Sequence, residues 1–565
     1  MKLLGIMMMG LLLVFSAAGL QAVRADESEE AYKTRLKYER GNGVTRDYTE
    51  AFKWYQKAAN RGMVNILDFG AKADMRTDDT KAIQAALNYL ATKDGGQLYF
   101  PPRGSVVING TVTIPNRLIT LMFQGCCIYN GNLNGPAFLA QNVNAIAFRD
   151  GSFACMPGMS VYPQCHIQII NVGTVELSNM CFSNATAQVD MTYTWIADIH
   201  DCSFHEAAKS GCDQQTALSF HYCNGVTVQN CNFEPVTNCI KIVNGGLYII
   251  SKNWFENHGK TAGGTYYPTG IAIYVDNDQS TDPTVETENI RISENAFQGS
   301  DGEAQIVINS AKDIVIEKNN FYMPRSGIAI SAHADSYNLV IDKNSFIDQG
   351  SSGMIKSLND TTIVTSTNIF YGPISTLSLA NGGSGYSVND MLTISEGTFG
   401  IIKVTGVSNG VVTGIQLING GRRYTPGTKT TKAYGIGCTV NIDSVNSSGG
   451  VTEITSIPTS GGQGYMVGQV LTLGKPYTTK EGGSGATVTV SNVSNGTVTG
   501  VTLTSAGSGY STNTTVQTIC TPFSGRSGCT VIVTGVKATP FCSGSLRKTK
   551  IINNSTFAVD DDGKK

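Results

Sequence analysis

The sequence predicts a mainly β protein whose central part winds into a parallel β-helix. One amphipathic helix lies between two strands in the stretch from Val64 to Gly110, and only strands and turns follow it. Seven later segments end in a phenylalanine, and these phenylalanines are 22, 29, 22, 42, 24 and 25 residues apart. A second short strand recurs within these intervals. A repeat of this length is one coil of a β-helix, and the long fourth interval indicates an insertion.

The amphipathic helix is expected to close the N-terminal end of the β-helix. Thr77 is placed to cap it, and Asp78 and Asp79 bring negative charge to its first turn. Asp94 and the two glycines after it end the helix, and a strand and a Pro-Pro pair follow. The apolar residues that recur at helical spacing are Ile83, Ala86, Leu87 and Leu90.

The same stretch reads VNILDFGAKADMRTDDTKAIQAALNYLATKDGGQLYFPPRGSVVING. It resembles the entry segment of the pectate-lyase superfamily, the pectin-lyase-like proteins that include many phage tailspikes. The shared pattern is DFGA..D...DDT.AIQ.A......GG.(L/V)YFP. The resemblance implies a right-handed parallel β-helix over residues 63–371. An ordinary αβ unit of an open sheet is the alternative, although no further αβ alternation follows.

Two segments precede this region. Residues 1–25 resemble a secretory signal peptide, with an apolar run from Leu3 to Phe15, so we expect a secreted or extracellular protein; the periplasm and cell surface are alternatives, and a membrane anchor is the competing interpretation. Residues 26–62 resemble a single Sel-one-like repeat, through Gly41, Trp54 and the Lys-Ala-Ala run from Lys57. One helix pair cannot close a core by itself, so it either caps the β-helix or binds a partner.

Composition excludes some functions. Removing Lys2 and Arg24 with the signal peptide leaves 39 basic and 43 acidic residues, a balance of −4, and nothing suggests nucleic acid. No other apolar run approaches membrane-spanning length, so no membrane insertion is expected. The 14 cysteines fit an oxidising compartment. Cys202 and Cys231 occupy equivalent places in successive coils, where either a disulfide or a ladder of buried thiols is expected.

Each coil carries two ladders. The phenylalanines are expected in the core, and a ladder of asparagines (Asn253, Asn295, Asn319 and Asn344) is expected to bond along the helix axis. Alternation along the second strand places Leu218, Ile240, Ile271, Ile306 and Ile328 inside. Their neighbours Ser219, Lys241, Ala272, Val307 and Ala329 are then outside, and His221, Tyr274, Asn309 and Ser331 are exposed.

The C-terminal part has a different repeat. Gly-rich motifs end at Tyr386, Tyr424, Tyr465 and Tyr510, and a Val-Ser-Asn-Gly turn occurs at Val407 and again at Val493. Asn-Gly between alternating strands favours a hairpin turn. Residues 372–545 are therefore predicted to form β-hairpin repeats, and residues 546–565 a solvated tail.

A parallel β-helix offers a long shallow face suited to an extended polymer, so polysaccharide is the expected partner. The family resemblance implies hydrolases with paired carboxylates or lyases with a basic residue, and calcium if the protein is a lyase. The polygalacturonase signatures are absent, since Gln214-Gln215-Thr216, Thr237-Asn238 and Pro268-Thr269 occupy their places. A tailspike-type depolymerase and a non-catalytic adhesin remain as alternatives. Tailspike relatives are trimers, which makes a homotrimer one expectation.

The candidate site residues lie around the long insertion. We expect acid and base roles from Asp276 or Asp278, opposed by Asp301 or Glu303, with one carboxyl pKa raised. No metal ligands can be assigned. The expected substrate-binding residues are His221, Lys241, Tyr274, Tyr266 and Tyr267.

Overall fold

The computed structural model describes the chain from residue 62 to 552 with gaps. The described ranges are 62–159, 161–205, 215–234, 236–256, 270–278, 285–299, 302–322, 328–347, 355–357, 363–432, 436–455, 458, 460–463, 465–473, 484–494, 497–512, 514–520, 527–536 and 550–552, with positions 34, 37 and 43. The predicted signal peptide and almost all of the predicted Sel-one-like repeat lie outside these residues.

The described residues between 63 and 370 form a parallel β-solenoid of about nine turns, built from three parallel sheets. Sheet 1 contains Val112–Ile114, Pro136–Gln141, Cys165–Ile170, Ala187–Thr192, Ile271–Asp276, Ile355–Ser357 and the first parts of Thr216–Gln229, Asn238–Ser251, Ile306–Glu317 and Ile330–Asp342. Sheet 2 contains the second parts of those four strands, the first parts of Ala145–Cys155 and Thr174–Ser183, and Met63–Asn65, Gly95–Tyr99, Leu118–Met122, Ile196–His200, Thr287–Ser293, Ile363–Ser366 and Lys550–Ile552. Sheet 3 contains the second parts of Ala145–Cys155 and Thr174–Ser183, and Asp74–Asp78, Ser105–Ile108, Cys127–Asn130, Ser203–His205, Asn232–Phe233, Trp254–Glu256, Ala296–Gln298, Asn320–Tyr322, Ser345–Ile347 and Ile369–Phe370.

The predicted phenylalanine ladder is confirmed. The rings from Phe182 to Phe346 are fully buried and stack coil on coil, with centroids 4.8–5.3 Å apart. This spacing equals the distance between neighbouring strands, so each ring contacts one ring above and one below. The members are Phe182, Phe204, Phe233, Phe255, Phe297, Phe321 and Phe346.

The predicted asparagine ladder is also confirmed. Each buried carboxamide nitrogen donates to the carboxamide oxygen one coil later, at 3.0 Å from Asn253 to Asn295 and from Asn295 to Asn319, and at 3.1 Å from Asn319 to Asn344. The ladder continues to Asn368 at 3.0 Å. Each Nδ2 also donates to a backbone carbonyl, which pairs these amides in the dry turn.

The N-terminal helix, α1, spans Thr80–Ala91 and buries the predicted apolar face against the first coils. A 3₁₀ turn, Ile66–Phe69, precedes it. The prediction that Thr77 caps the helix is wrong, because Asp74–Asp78 is a strand and Asp79 is the N-cap residue. The first turn also lacks the expected acids. The buried Asp79 carboxylate instead accepts two backbone N–H groups from the preceding turn, at 2.7 and 2.9 Å.

The predicted register of sheet 1 is wrong by two residues in two coils. Ile273 and Ile330, rather than Ile271 and Ile328, pair with the inner Ile306. The reason is that Gly270 lies at the corner, where its carbonyl accepts the N–H of Gly302. Several residues predicted outside are buried, namely Ser219, Ala272, Val307, Ala329 and Ser331.

The described residues between 374 and 536 form two antiparallel sheets, each with its own apolar core. The first C-terminal sheet contains Ile374–Ser384, Met391–Ile394, Thr398–Ser408, Val411–Arg422, Gly427–Lys432 and Ser527–Val536. The second contains Ile436–Val445, Val451–Ile454, Ser460–Gln463, Val470–Leu473, Ser484–Ser494, Thr497–Ser508 and Thr514–Cys520.

These two sheets exchange strands. The sequence repeats once, over residues 374–445 and 451–536, and each repeat ends in a strand that contains Gly-Cys-Thr-Val. Ile436–Val445, the last strand of the first repeat, pairs with Thr514–Cys520 of the second. Ser527–Val536, the last strand of the second repeat, pairs with Gly427–Lys432 and with Ile374–Ser384 of the first. The order of strands in space therefore differs from a simple row of hairpins.

Candidate functional site

The outer face of sheet 1 carries four of the nine predicted site residues. Strand pairing places its outward residues in two columns that run along the helix axis, one residue per coil. The first column contains Asp190, Ser219, Lys241, Tyr274, Val307, Ser331 and Lys356. The second contains Thr192, His221, Val243 and Asp276, and Asn309 and His333 follow on the next two coils.

Asp276 is held by three donors. The Tyr274 hydroxyl donates to Oδ2 at 2.8 Å, and Asn309 Nδ2 and the backbone N–H of Asn277 donate to Oδ1, each at 2.8 Å. Burial, the hydrogen bond to Asp276 and the charges of Asp276 and Glu303 raise the pKa of Tyr274. Tyr274 therefore stays protonated at neutral pH and acts as a donor on this face.

Glu303 lies one coil further along and forms a second cluster. Its Oε1 accepts from Ser331 Oγ at 2.6 Å, lies 2.9 Å from His333 Nε2 and lies 3.3 Å from Lys356 Nζ. Burial opposes ionisation, but the hydrogen bonds from Ser331 and His333 and the charges of His333 and Lys356 outweigh it and lower the pKa of Glu303. The expected raised pKa is therefore wrong for Glu303, which is ionised at neutral pH.

The two clusters share one stretch of the face. The charges of both Asp276 and Glu303 act on the Tyr274 hydroxyl. Asp276 and the Glu303 partner His333 lie two coils apart on this face, so both carboxylates lie in the same stretch of it. Two carboxylates on one face are what acid and base action on a glycosidic bond requires.

Asp278 faces a different part of the same surface. Its backbone N–H donates to Asn244 Oδ1 at 2.9 Å, and Asn244 Nδ2 donates to its carbonyl at 3.2 Å, which fixes the start of the insertion. Burial lowers the pKa of His221; the charges of Asp190 and Asp278 oppose this change and that of Lys241 reinforces it. The structure therefore groups Asp278 with His221 and Lys241.

Three predicted site residues cannot be placed, because Asp301, Tyr266 and Tyr267 lie outside the described residues. Sequence reasoning also missed His333 and Lys356, the partners of Glu303. The alternation from Ile330 puts His333 on the outer face, and Lys356 pairs with the outward Ser331 on the next coil, so the signal that could have found His333 is the alternation itself.

A cavity of about 390 Å³ lies elsewhere, on the outer face of the first coils of sheet 2. Its lining includes Arg149 and Glu176, which form a bidentate ion pair at 2.7 and 2.5 Å. The charges of Arg149 and Glu176 neutralise each other in this ion pair, so the outer face of sheet 1 is the stronger candidate for a catalytic site. No group of three or more His, Cys, Asp or Glu side chains that could hold a metal ion occurs among the described residues. None of the helices in that part of the chain is long and apolar enough to cross a membrane.

Three solved structures illustrate the similarity to known proteins. The Streptococcus pneumoniae surface protein and adhesin PfbA is 17% identical, with a TM-score of 0.40 over 55% of this chain and 97% of that one. An exopolygalacturonase from Thermotoga maritima is 12% identical, with a TM-score of 0.37 over 55% and 90%. ORF18 of Geobacillus virus E2 is 16% identical, with a TM-score of 0.32 over 82% and 90%. No curated protein matches the chain significantly.

Three family models match the sequence. Residues 38–63 match the Sel1 repeat, residues 63–277 match "Rhamnogalacturonase A/epimerase, pectate lyase-like", and residues 216–392 match "Right handed beta helix region". The last two matches together cover the three-sheet region described above. The central part of this chain is thus a parallel β-helix that matches a pectate-lyase-like and a right-handed β-helix family model, and residues 38–63 match the Sel1 repeat model.

Proposed function

We propose that this protein binds an extended polysaccharide along the outer face of sheet 1 and depolymerises it, as a glycoside hydrolase or a polysaccharide lyase. The observation that carries the proposal is the pair of carboxylates Asp276 and Glu303, each held by fixed donors on the same face. The match to a pectate-lyase-like family model supports a carbohydrate polymer as the substrate.

Ionised Glu303 is suited to act as base or nucleophile. Asp276 is the opposing carboxyl in our proposal, and Tyr274 and Asn309 fix its orientation. His221 and Lys241 lie on the two preceding coils, where they would contact the sugars that flank the bond to be broken. If the reaction is an elimination, Lys356 supplies positive charge beside Glu303.

The alternative is a non-catalytic carbohydrate-binding adhesin. One observation favours it: a single oxygen of Glu303 already has three partners, an arrangement that also serves simply to pair charges on a partly dry surface. The two functions share the same fold and face, so they are separated by turnover and not by binding.

The test is a panel of acidic and neutral polysaccharides, assayed for new reducing ends and for unsaturated uronates. We expect Glu303→Gln and the double variant Asp276→Asn/Asp278→Asn to lose turnover and keep polymer affinity, while Asp198→Asn, on the outer face of sheet 2, behaves as the parent. Affinity without turnover by the parent would favour the adhesin. Turnover that survives in both site variants would place the chemistry elsewhere.

We also propose that residues 1–25 are removed on export, that residues 26–62 and 63–371 form the helical repeat and the β-helix, and that residues 372–545 and 546–565 form a hairpin region and a tail. We further propose a homotrimer in solution. N-terminal sequencing of the exported protein tests the cleavage after Ala25, and light scattering of the mature protein tests the assembly. An intact N-terminus or a monomeric mass would refute the respective proposal.

A further inference from the structure

An aromatic surface lies at the corner between sheets 1 and 2, beside the face described above. Tyr193 and Tyr222 occupy the same place on successive coils, directly after the outward residues Thr192 and His221. Their rings are stacked, with centroids 5.0 Å apart and planes inclined by 17°. Both residues have φ = 54°, so the left-handed backbone of the corner aims both side chains in the same direction. Tyr193 is 52% exposed, although it is a large aromatic residue.

Trp195 adds a second ring on the same coil as Tyr193. Its side chain is 66% exposed. Ile196 pairs with Thr174, which places Trp195 beside Gly173 on the preceding coil, a residue with no side chain that could pack on the indole.

The chemistry of this corner fits a sugar. Aromatic rings pack against the apolar face of a pyranose, while nearby polar groups bind its hydroxyls. Thr192, His221 and Asn224 supply such groups here. The charged residues of the adjoining face, Lys241 and Asp190, are of opposite sign, which favours an uncharged chain over a polyanion. Ile196 and Leu247 are exposed nearby, so a protein partner is the competing occupant.

We propose that Tyr193, Tyr222 and Trp195 form a binding site for a neutral pyranose polysaccharide. The site lies two to three coils before Asp276, a distance of roughly 10–14 Å along the axis. A chain bound there continues onto the carboxylates, a step that rests on the function proposed above. Binding at the aromatic corner itself does not depend on turnover.

The test is electrophoresis of the full protein through native gels that contain hydroxyethyl cellulose, galactomannan or xylan. We expect at least one of these neutral polymers to retard the parent. Trp195→Ala and Tyr193→Ala/Tyr222→Ala should each weaken retardation by roughly threefold to tenfold, because each removes stacking contacts. The matched control is Trp254→Ala, which removes an indole that is 41% exposed on sheet 3.

Three outcomes would overturn the proposal: a parent that none of the three polymers retards, a Trp195→Ala protein retarded like the parent, and retention lost in Leu247→Asp but unchanged in Trp195→Ala. The last result would assign this surface to aliphatic contacts of the kind a protein partner makes. Retention that depends on Trp195 in a protein without turnover supports the aromatic site and refutes only the depolymerase.

Discussion

The β-helix and the C-terminal sheets differ in how far apart in the sequence their paired strands lie. In the β-helix each strand pairs with the strand one coil later, so Phe297 contacts Phe255 before it and Phe321 after it. In the C-terminal region the pairing runs between repeats, and Ile374 pairs with Val536 at the far end. The first region gains stability coil by coil, whereas the second must close a long loop before its central strand is in place.

This difference determines how far the structural effect of a mutation extends in each region. A solenoid behaves as a one-dimensional stack, in which a defect affects mainly the neighbouring coils. Each exchanged strand lies inside the sheet that the other repeat forms. A destabilising change in the last strand of the second repeat is therefore expected to destabilise the sheet of the first repeat. Four predictions test this contrast, from the largest expected effect to the smallest.

Val531→Asp should open the first C-terminal sheet. Val531 is fully buried on Ser527–Val536, between Ile374–Ser384 and Gly427–Lys432. Burying an unpaired carboxylate there should cost on the order of 5 kcal/mol. We expect limited proteolysis to cut within residues 374–432, while the β-helix stays intact.

The matched control for this prediction is Val440→Asp, at the same place in the other Gly-Cys-Thr-Val strand. It should expose residues 451–520 instead, because Ile436–Val445 pairs with that repeat. The reverse pattern of cleavage would mean that each strand stays with its own repeat in solution. Digestion of the whole of residues 374–540 in the parent, at the rate of a disordered chain, would refute the folded sheets altogether.

Phe297→Ala should destabilise the β-helix by about 3–5 kcal/mol, because it leaves a cavity between two stacked rings. Chemical unfolding followed by circular dichroism measures the loss, and hydrogen exchange should show it concentrated in the coils on either side. Phe399→Ala, which removes an exposed ring from the first C-terminal sheet, should change stability by less than about 0.5 kcal/mol. Equal losses in the two variants would contradict the buried stack.

Acid should weaken the β-helix before the C-terminal sheets. All six histidines of the chain lie between His166 and His333. Burial lowers the pKa of His166 to about 4, although the hydrogen bond to the Ser183 carbonyl opposes the change. The unfolded chain gains this proton near pH 6.5 and the folded chain only near pH 4, so stability falls as the pH is lowered through that window. The loss from His166 is about 3 kcal/mol.

Thermal unfolding between pH 7 and pH 4 measures this loss as a shift of the β-helix transition. His166→Gln should flatten the shift, because the unfolded glutamine gains no proton. The transition of residues 374–536 should stay level between pH 6.5 and pH 5. A β-helix transition whose pH dependence is unchanged in His166→Gln would show that other groups dominate.

The two regions also differ in how far their sequences predict them. Identical residues stack in the β-helix, so the phenylalanine and asparagine ladders can be seen in the sequence itself. The strand exchange cannot, because both Gly-Cys-Thr-Val strands are alike and no local pattern says which sheet each one joins. At the candidate site, alternation located Lys241 and Tyr274 on the outer face, but it could not show that Glu303, on the loop before Ile306–Glu317, contacts His333.

The smallest expected effect concerns two tyrosines at equivalent places in the exchanged sheets. The buried Tyr424 hydroxyl accepts the N–H of Gly400 at 3.0 Å and donates to the carbonyl of Ile394 at 2.8 Å. The Tyr510 hydroxyl donates to the carbonyl of Leu473 at 2.9 Å. Tyr424→Phe and Tyr510→Phe should each cost about 1 kcal/mol, because each removes a buried hydroxyl that hydrogen-bonds the backbone of its own sheet.

The double variant shows whether the exchanged strands join the two cores energetically. Tyr424 and Tyr510 belong to separate apolar cores, so their losses should add to within about 0.5 kcal/mol when unfolding of residues 374–536 is followed in denaturant. A coupling larger than this would mean that the exchanged strands transmit a local defect from one core to the other. The C-terminal region would then respond as a single packing unit, in contrast to the coil-by-coil response expected of the β-helix.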